Sequence, residues 1–209
     1  MENLFCTKIE NPDRVWLTSD THFFHENILT YCNRPFASVE EMNKSLIDSW
    51  NSVVGENDEV YHLGDICFGN KEKWESIICA KKEDGSWLLN GRIHLILGNH
   101  DPDRLRKSED CYNRFVEVCF QKYLFADGWG IYLNHFPFLD FSNNFDKKVC
   151  QLYGHTHEGP SNGGTLNNER LKMVQWNQYN VGVDNNGFKP ISLRAALNII
   201  KSRIPENER

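Results

Sequence analysis

The sequence predicts an α/β fold with its functional site at the carboxyl ends of the strands. Three strand–loop–helix units follow one another before residue 102, and each strand ends in side chains able to ligate a metal. The second half then turns from helix to strand. Alternating units of this kind build a largely parallel sheet, and ligands gather beyond the carboxyl ends of its strands.

The first unit opens with Arg14–Asp20, an apolar run closing on polar residues, and continues into Thr21-His22-Phe23-Phe24-His25-Glu26-Asn27. Residues 38–53 follow as a helix. Ser38 stands three positions before Glu41, the spacing of a capping box, and Met42, Leu46, Ile47 and Trp50 share one face. After a turn at Asn57-Asp58, Glu59–Leu63 forms the second strand and ends at Gly64-Asp65. Residues 70–80 form a short amphipathic helix with Trp74, Ile77 and Ile78 inward, and Asp84-Gly85 marks a turn. Arg92–Leu97 is the third strand, ending at Gly98-Asn99-His100-Asp101 before Pro102.

Beyond that point Phe115–Phe125 and Trp129–Phe136 read as strands joined by the hairpin signal Asp127-Gly128. Val149–Tyr153 is a further strand, and a Gly/Asn-rich loop runs from Glu158 to Glu169. Leu171–Val183 is strand-like, and Ser192–Ser202 closes the chain as a helix.

A chain of 209 residues fits one domain, 1–209, with one sizeable core. A net charge of −6 argues against broad electrostatic binding to nucleic acid or to anionic membrane. No apolar run reaches the length of a membrane span, and the first residues lack a signal-peptide core, so a cytoplasmic location is expected. The seven cysteines are odd in number and contain no Cys-x-x-Cys, which fits reduced thiols rather than a thiolate zinc site.

The polar residues at the strand ends are the chemical signal. Asp20 and His22 close the first strand, Asp65 the second, and Asn99 and His100 the third; His135, His155 and His157 close later ones. His155 and His157 are two positions apart, so both imidazoles project together if strand geometry persists to that point, with Gly154 clearing space beside them. Any one group has a plain structural explanation, such as a turn cap or a packed histidine. The whole set, repeated at five strand ends, points to transition-metal ligation.

The series Asp20-x-His22, Gly64-Asp65, Gly98-Asn99-His100-Asp101, His135 and Gly154-His155-x-His157 resembles the calcineurin-like metallophosphoesterases in order and in approximate spacing. The resemblance spans residues 15–157; the five motifs together are specific, and none is so alone. It implies a four-layer α-β-β-α sandwich of two mixed β-sheets flanked by helices, with two divalent metal ions at one edge. Carried over by motif, Asp20, His22, Asp65 and His157 hold one ion. Asp65 bridges to the second, held also by Asn99, His135 and His155. His100 stays free of metal beside the leaving group, and Asp101 orients it through a hydrogen bond. One departure is visible: many members read Gly-Asp-x-x-Asp, whereas this chain reads Gly64-Asp65-Ile66-Cys67-Phe68.

The implied chemistry is consistent with these residue types. Two ions about 3.5–4 Å apart neutralise a phosphoester and activate a bridging hydroxide, and a histidine general acid protonates the departing oxygen. Mixed His, Asp and Asn ligands suit Mn²⁺ foremost, with Fe, Zn²⁺ or Ni²⁺ as alternatives, over Ca²⁺. The expected activity is hydrolysis of phosphodiesters, with a phosphomonoesterase acting on nucleotides or phosphoproteins as the alternative. The expected partner is a small phosphoester, a nucleotide among the candidates, with no extended nucleic-acid surface and no membrane. A non-catalytic scaffold would have lost a ligand or His100, and no such loss occurs.

Several residues beside the motifs have two readings. His25 either touches substrate phosphate or is a loop histidine. Arg34 is a candidate phosphate clamp, because guanidinium matches phosphate geometry, or else a surface arginine. His62 and His94, inside strands, read as structural. The stretch Asn180-Val-Gly-Val-Asp184 reads as a closing strand of the sandwich rather than part of the site, and residues 159–168 as a rim or an ordinary loop.

Overall fold

The computed structural model describes residues 6–101, 109–141, 148–157 and 172–204. In chain order the strands are β1 (Thr7–Lys8), β2 (Val15–Thr18), β3 (Glu59–His62), β4 (Arg92–Ile96) and β5 (Glu117–Cys119). They continue as β6 (Gln121–Ala126), β7 (Trp129–Asn134), β8 (Val149–Tyr153), β9 (Gln178–Asn180) and β10 (Ile191–Ser192). The helices are α1 (Ile28–Tyr31), α2 (Val39–Val53), α3 (Lys71–Ile78), α4 (Glu109–Arg114) and α5 (Leu193–Ser202).

The strands form two five-stranded sheets, ordered β10-β2-β3-β4-β5 and β1-β6-β7-β8-β9. In the first, β2 to β5 are parallel and β10 is antiparallel to β2. In the second, β6 and β7 make an antiparallel hairpin, and β7, β8 and β9 run parallel. Both sheets are mixed and helices flank them, as the sequence implies.

Strand alternation divides the apolar residues between two cores. Val60, Ile93 and Leu95 of the first sheet pack against Met42, Leu46, Trp50, Trp74 and Ile77 on α2 and α3. Leu17, Tyr61, Leu63 and Ile96 face the other way, onto Leu124, Ile131, Leu133, Cys150 and Leu152 of the second sheet. Leu193, Ala196, Leu197 and Ile200 of α5 join this inter-sheet core, where the helix meets β2, β9 and β10.

The helix ends follow local chemistry. The Ser38 hydroxyl accepts the Glu41 amide at 3.2 Å, and the Glu41 carboxylate reaches back to the Ala37 amide at 2.8 Å. A cap of this kind is worth about 1 kcal/mol. Asn70 caps α3 through the Lys73 amide, and Ser192 caps α5 through the Ala195 amide. On α2 the buried stripe is Met42, Leu46 and Trp50, with Ile47 at its margin. Asn43 is buried beside it because its side-chain oxygen accepts the Phe24 amide at 3.0 Å, tying α2 to the loop after β2.

Two expected strands come out differently. The apolar run 115–125 is two strands: β5 completes the first sheet, and β6 enters the second. Phe120, 71% exposed, is the crossing point. Within Leu171–Val183 only Gln178–Asn180 is strand among the described residues. The two-residue strands β1 and β10 are too short to leave a periodic signal. Cys6, Cys32, Cys67, Cys79, Cys119 and Cys150 are free thiols. Among the described residues no helix is long and apolar enough to cross a membrane.

Candidate metal centre

The loops leaving the parallel strands run side by side and are stitched by backbone hydrogen bonds. Asp20 N–H donates to Gly64 C=O, His22 N–H to Asp65 C=O and Phe23 N–H to Ile66 C=O. This brings the Asp20-x-His22 and Gly64-Asp65 motifs together. Within the second sheet Gly154 N–H donates to His135 C=O, and that sheet is tied on by Val183 N–H to Ser19 C=O. His135 crosses between sheets, with Nδ1 donating to Leu63 C=O at 2.7 Å.

Glycine permits the close approach at two points. A Cβ on Gly98 would collide with the Asp65 carboxylate and backbone, and one on Gly154 would collide with Ser19 and the Asp20 carboxylate. Neither position tolerates a side chain.

Four of the candidate residues have left-handed backbone: Asp20 (φ 57°), His22 (φ 49°), Asp65 (φ 57°) and His155 (φ 67°). Such residues cost on the order of 1 kcal/mol or more each and persist where surroundings over-determine them, as at functional sites. They also correct the simple strand-tip picture. Strand β8 stops at Tyr153, so His155 and His157 do not project together by alternation. A tight turn intervenes, with Thr156 N–H donating to Gly154 C=O and His157 N–H to His155 C=O. The His157 ring joins Asp20 and His22, while the His155 ring stands 5.1 Å from that of His135.

Among the described residues three groups of donor atoms result: Asp20, His22 and His157; Asp20, Asp65 and His135; and Cys32, His157 and Asp184. Asp20 belongs to the first two, and Asp65 also approaches His22 of the first. Asp65 Oδ2 is 3.7 Å from His22 Nε2, 3.5 Å from His135 Nε2 and 4.0 Å from His100 Nε2, while its Oδ1 accepts the His100 amide at 2.9 Å. Asn99 Oδ1 is 3.0 Å from His135 Nε2.

The donor set fits divalent cations. His135 Nδ1 donates to a carbonyl, which leaves Nε2 pointing at Asn99 Oδ1 and Asp65 Oδ2 as the ring atom available to a metal. Asp20 Oδ1 is buried and accepts no hydrogen bond among the described residues, although it lies 3.5 Å from His157 Nε2. Carboxylates and imidazoles packed this closely need a proton or a metal cation among them, and the mixed oxygen and nitrogen donors suit a divalent metal.

Burial sets the electrostatics. It pushes the Asp65 carboxyl up to about 6, with Asp20 adding to the effect and His135 opposing it. Burial likewise holds His22 well below the ordinary histidine value, reinforced by the facing His157. For His157 burial disfavours the charge, but Asp20 and the Asp184 hydrogen bond outweigh it and push the group up to about 10.

The candidate residues open onto a cavity of about 360 Å³ lined by His22, His25, Asp65, Asn99, His100, His155 and His157, with Ile28, Tyr31 and Phe68 on an apolar side. His100 stands at its open side, 41% exposed. His25 lines the cavity too, its ring stacked on Phe68 with centroids 4.2 Å apart.

Two assignments are overturned. Arg34 is no clamp at the rim: its side chain is fully buried, and it donates to both oxygens of Asp184 and to the carbonyls of Asp20 and Thr21. Asp101 does not orient the His100 ring. Its carboxylate accepts the amides of Asp65, Ile66 and Gly98 at 2.8, 3.1 and 2.8 Å, fixing the loop that carries Asp65. Burial, and then the neighbouring Asp65, push its carboxyl up to about 6.

Sequence reading missed Asp184, whose Oδ2 accepts His157 Nδ1 at 2.8 Å. The only available signal was an acid just beyond a short apolar stretch, on the far side of residues 159–168, which lie outside the described residues. His62 and His94 are structural, as expected. Burial brings His62 down to about 3, and the ring bonds the Thr21 hydroxyl and the Gly64 amide. His94 bridges Glu59 and Glu117.

A sandwich of two mixed sheets, with carboxylates and imidazoles gathered where the strands end, defines a metal-site α/β architecture. The chain belongs to the calcineurin-like phosphoesterase family, whose sequence model matches residues 13–192. It is 37% identical over 191 residues to the uncharacterized protein MJ1445 of Methanocaldococcus jannaschii, covering 90% of this chain and 92% of that one. It is 32% identical over 165 residues to the Gene 66 protein of Mycobacterium phage D29, covering 68% of this chain and 78% of the phage protein. The crystal structure of AQ665 from Aquifex aeolicus, a protein of unknown function, shares the fold: the TM-score is 0.57 at 24% identity, over 88% of this chain and 98% of the other.

Proposed function

We propose that the protein hydrolyses phosphoesters, phosphodiesters foremost, with two divalent cations as cofactors. Asp20, His22 and His157 hold one ion; Asn99, His135 and His155 hold the other; Asp65 is shared. The observation that carries this reading is the gathering of Asp20, His22 and His157, and of Asp20, Asp65 and His135, into two compact, largely buried groups of ligand atoms. Bound there, the ions supply neutralising charge for the phosphate and lower the pKa of the attacking water.

The chain's own residues do the rest. Asp65 Oδ1 holds the His100 amide, which keeps the exposed imidazole beside the cavity mouth. From there His100 donates a proton to the departing ester oxygen. His25, stacked on Phe68 in the cavity lining, contacts the substrate. The apolar side formed by Ile28, Tyr31 and Phe68 receives the esterifying group. The diester preference rests on charge. Among the described residues no Lys or Arg lines the cavity, and the one arginine considered for it is engaged elsewhere. A diester monoanion needs less countercharge than a monoester dianion. Mn²⁺ is the favoured ion, with Fe, Zn²⁺ or Ni²⁺ as alternatives. The substrate is a small phosphoester, nucleotides included, met in the cytoplasm.

The test is a metal-reconstituted panel of bis-p-nitrophenyl phosphate, p-nitrophenyl phosphate and cyclic nucleotides with Mn²⁺, Ni²⁺ and Zn²⁺. Diester turnover above monoester turnover is expected; the reverse makes the protein a phosphomonoesterase. His100→Ala should lower kcat by about 10²-fold or more with metal content intact. Loss of both ions in that variant would overturn the role given to His100.

A further inference from the structure

We propose that Arg34 and Asp184 act as a positioning pair behind His157 and make the two cation positions unequal in affinity. This rests on the two-cation reading above. Asp184 Oδ2 accepts His157 Nδ1 at 2.8 Å, which directs Nε2 toward Asp20 and His22. Arg34 grips the same carboxylate through Nε at 2.8 Å and Nη2 at 3.1 Å. That guanidinium also donates to the Asp20 carbonyl at 2.7 Å and the Thr21 carbonyl at 2.9 Å. One buried cation therefore fixes both the carboxylate behind His157 and the backbone that carries Asp20 and His22.

The other position is backed differently. His135 Nδ1 meets a neutral backbone carbonyl, Leu63 C=O. A carboxylate behind a ligating imidazole fixes the ring and raises its basicity more than a carbonyl does. The Asp20–His22–His157 position is therefore the tighter one.

Cys32 also approaches His157 and Asp184, and these three form a compact donor group of their own. They do not make a third cation site. Both oxygens of Asp184 already face the Arg34 guanidinium, so an added cation would meet a fixed positive charge.

The test is Mn²⁺ binding to the metal-free 209-residue chain, followed by calorimetry and by the electron paramagnetic resonance of bound Mn²⁺. The wild type should show two classes of site. Asp184→Asn keeps a hydrogen-bond acceptor for His157 but removes the charge; it should weaken the tighter class about 10–100-fold and leave the other unchanged. Because that variant leaves Arg34 buried without its anion, the double variant Arg34→Met/Asp184→Asn is measured beside it, and the same selective weakening is expected. Two classes unchanged in the folded double variant, or both weakened equally, would overturn the positioning role alone. A wild type that takes up no pair of ions would overturn the functional reading and this inference with it.

Discussion

His22 Nε2 and His157 Nε2 face each other at 3.1 Å across the interior of the site. Two imidazole lone pairs cannot share that distance without an electrophile. In the metal-free protein a proton serves, since His157 is pushed up to about 10 while His22 is held well below its ordinary value. A cation entering between Asp20, His22 and His157 displaces that proton. Cation uptake should therefore release protons, and apparent affinity should fall as pH falls, more steeply near 6 where Asp65 also takes up a proton. Calorimetric titrations in buffers of different ionisation enthalpy count the protons; a count of zero would contradict this arrangement.

Asp101 anchors the loop that presents Asp65. Asp101→Ala strands three buried amides, those of Asp65, Ile66 and Gly98. One stranded buried donor costs about 1–3 kcal/mol, so a loss of at least that size is expected in urea unfolding. The variant should also bind cations poorly, because Asp65 is no longer held. A variant of unchanged stability and cation content that lost only turnover would return Asp101 to the role of orienting His100.

For Arg34 the structure reverses the kinetic expectation. A rim clamp predicts that Arg34→Ala raises KM and little else. The buried pair predicts instead a loss of up to about 3–5 kcal/mol in folding stability, because Asp184 loses its two guanidinium hydrogen bonds in the interior and keeps only His157. Denaturant unfolding of the metal-free protein separates the two. Asp184 is held below the ordinary carboxylate value: burial works against its charge, and the His157 and Arg34 contacts prevail.

Asp58 supplies a pH dependence remote from the site. Burial alone would raise its carboxyl, but hydrogen bonds from the Gly55 amide, Arg14 and Trp16 together bring it below its ordinary value. A carboxyl lowered by folding contributes stability above its unfolded pKa of about 4, and loses that contribution as pH falls through the folded value. Asp58→Asn should be less stable than wild type at neutral pH by about 1–3 kcal/mol. The gap should narrow on acidification; thermal unfolding across pH 7 to 3 measures it, and a constant gap would show that the charge is irrelevant.

Much of the fold was legible in the chain. Met42, Leu46 and Trp50 repeat at helical spacing behind a Ser38 cap, and the runs at 15–18, 59–62, 92–96 and 149–153 each lead within a few residues into polar ligand-type residues. The division of residues 115–125 between two sheets was not legible. Nothing local to Phe120 says that the strands on either side hydrogen-bond to different partners. The site shows the same boundary. Asp20, His22, Asp65, Asn99, His100, His135, His155 and His157 stand near the ends of apolar runs, and only as a set do they point to a metal site.

The sequence by itself determined which side chains are offered at the strand ends, because backbone periodicity and residue chemistry are local properties. Only the tertiary structure decided what Arg34, Asp101 and Asp184 do. Arg34 meets Asp184 across 150 positions, Asp101 meets the Asp65 amide across 36, and Asp184 meets His157 across 27. A charged group's role depends on what it faces once buried, and packing brings those partners together.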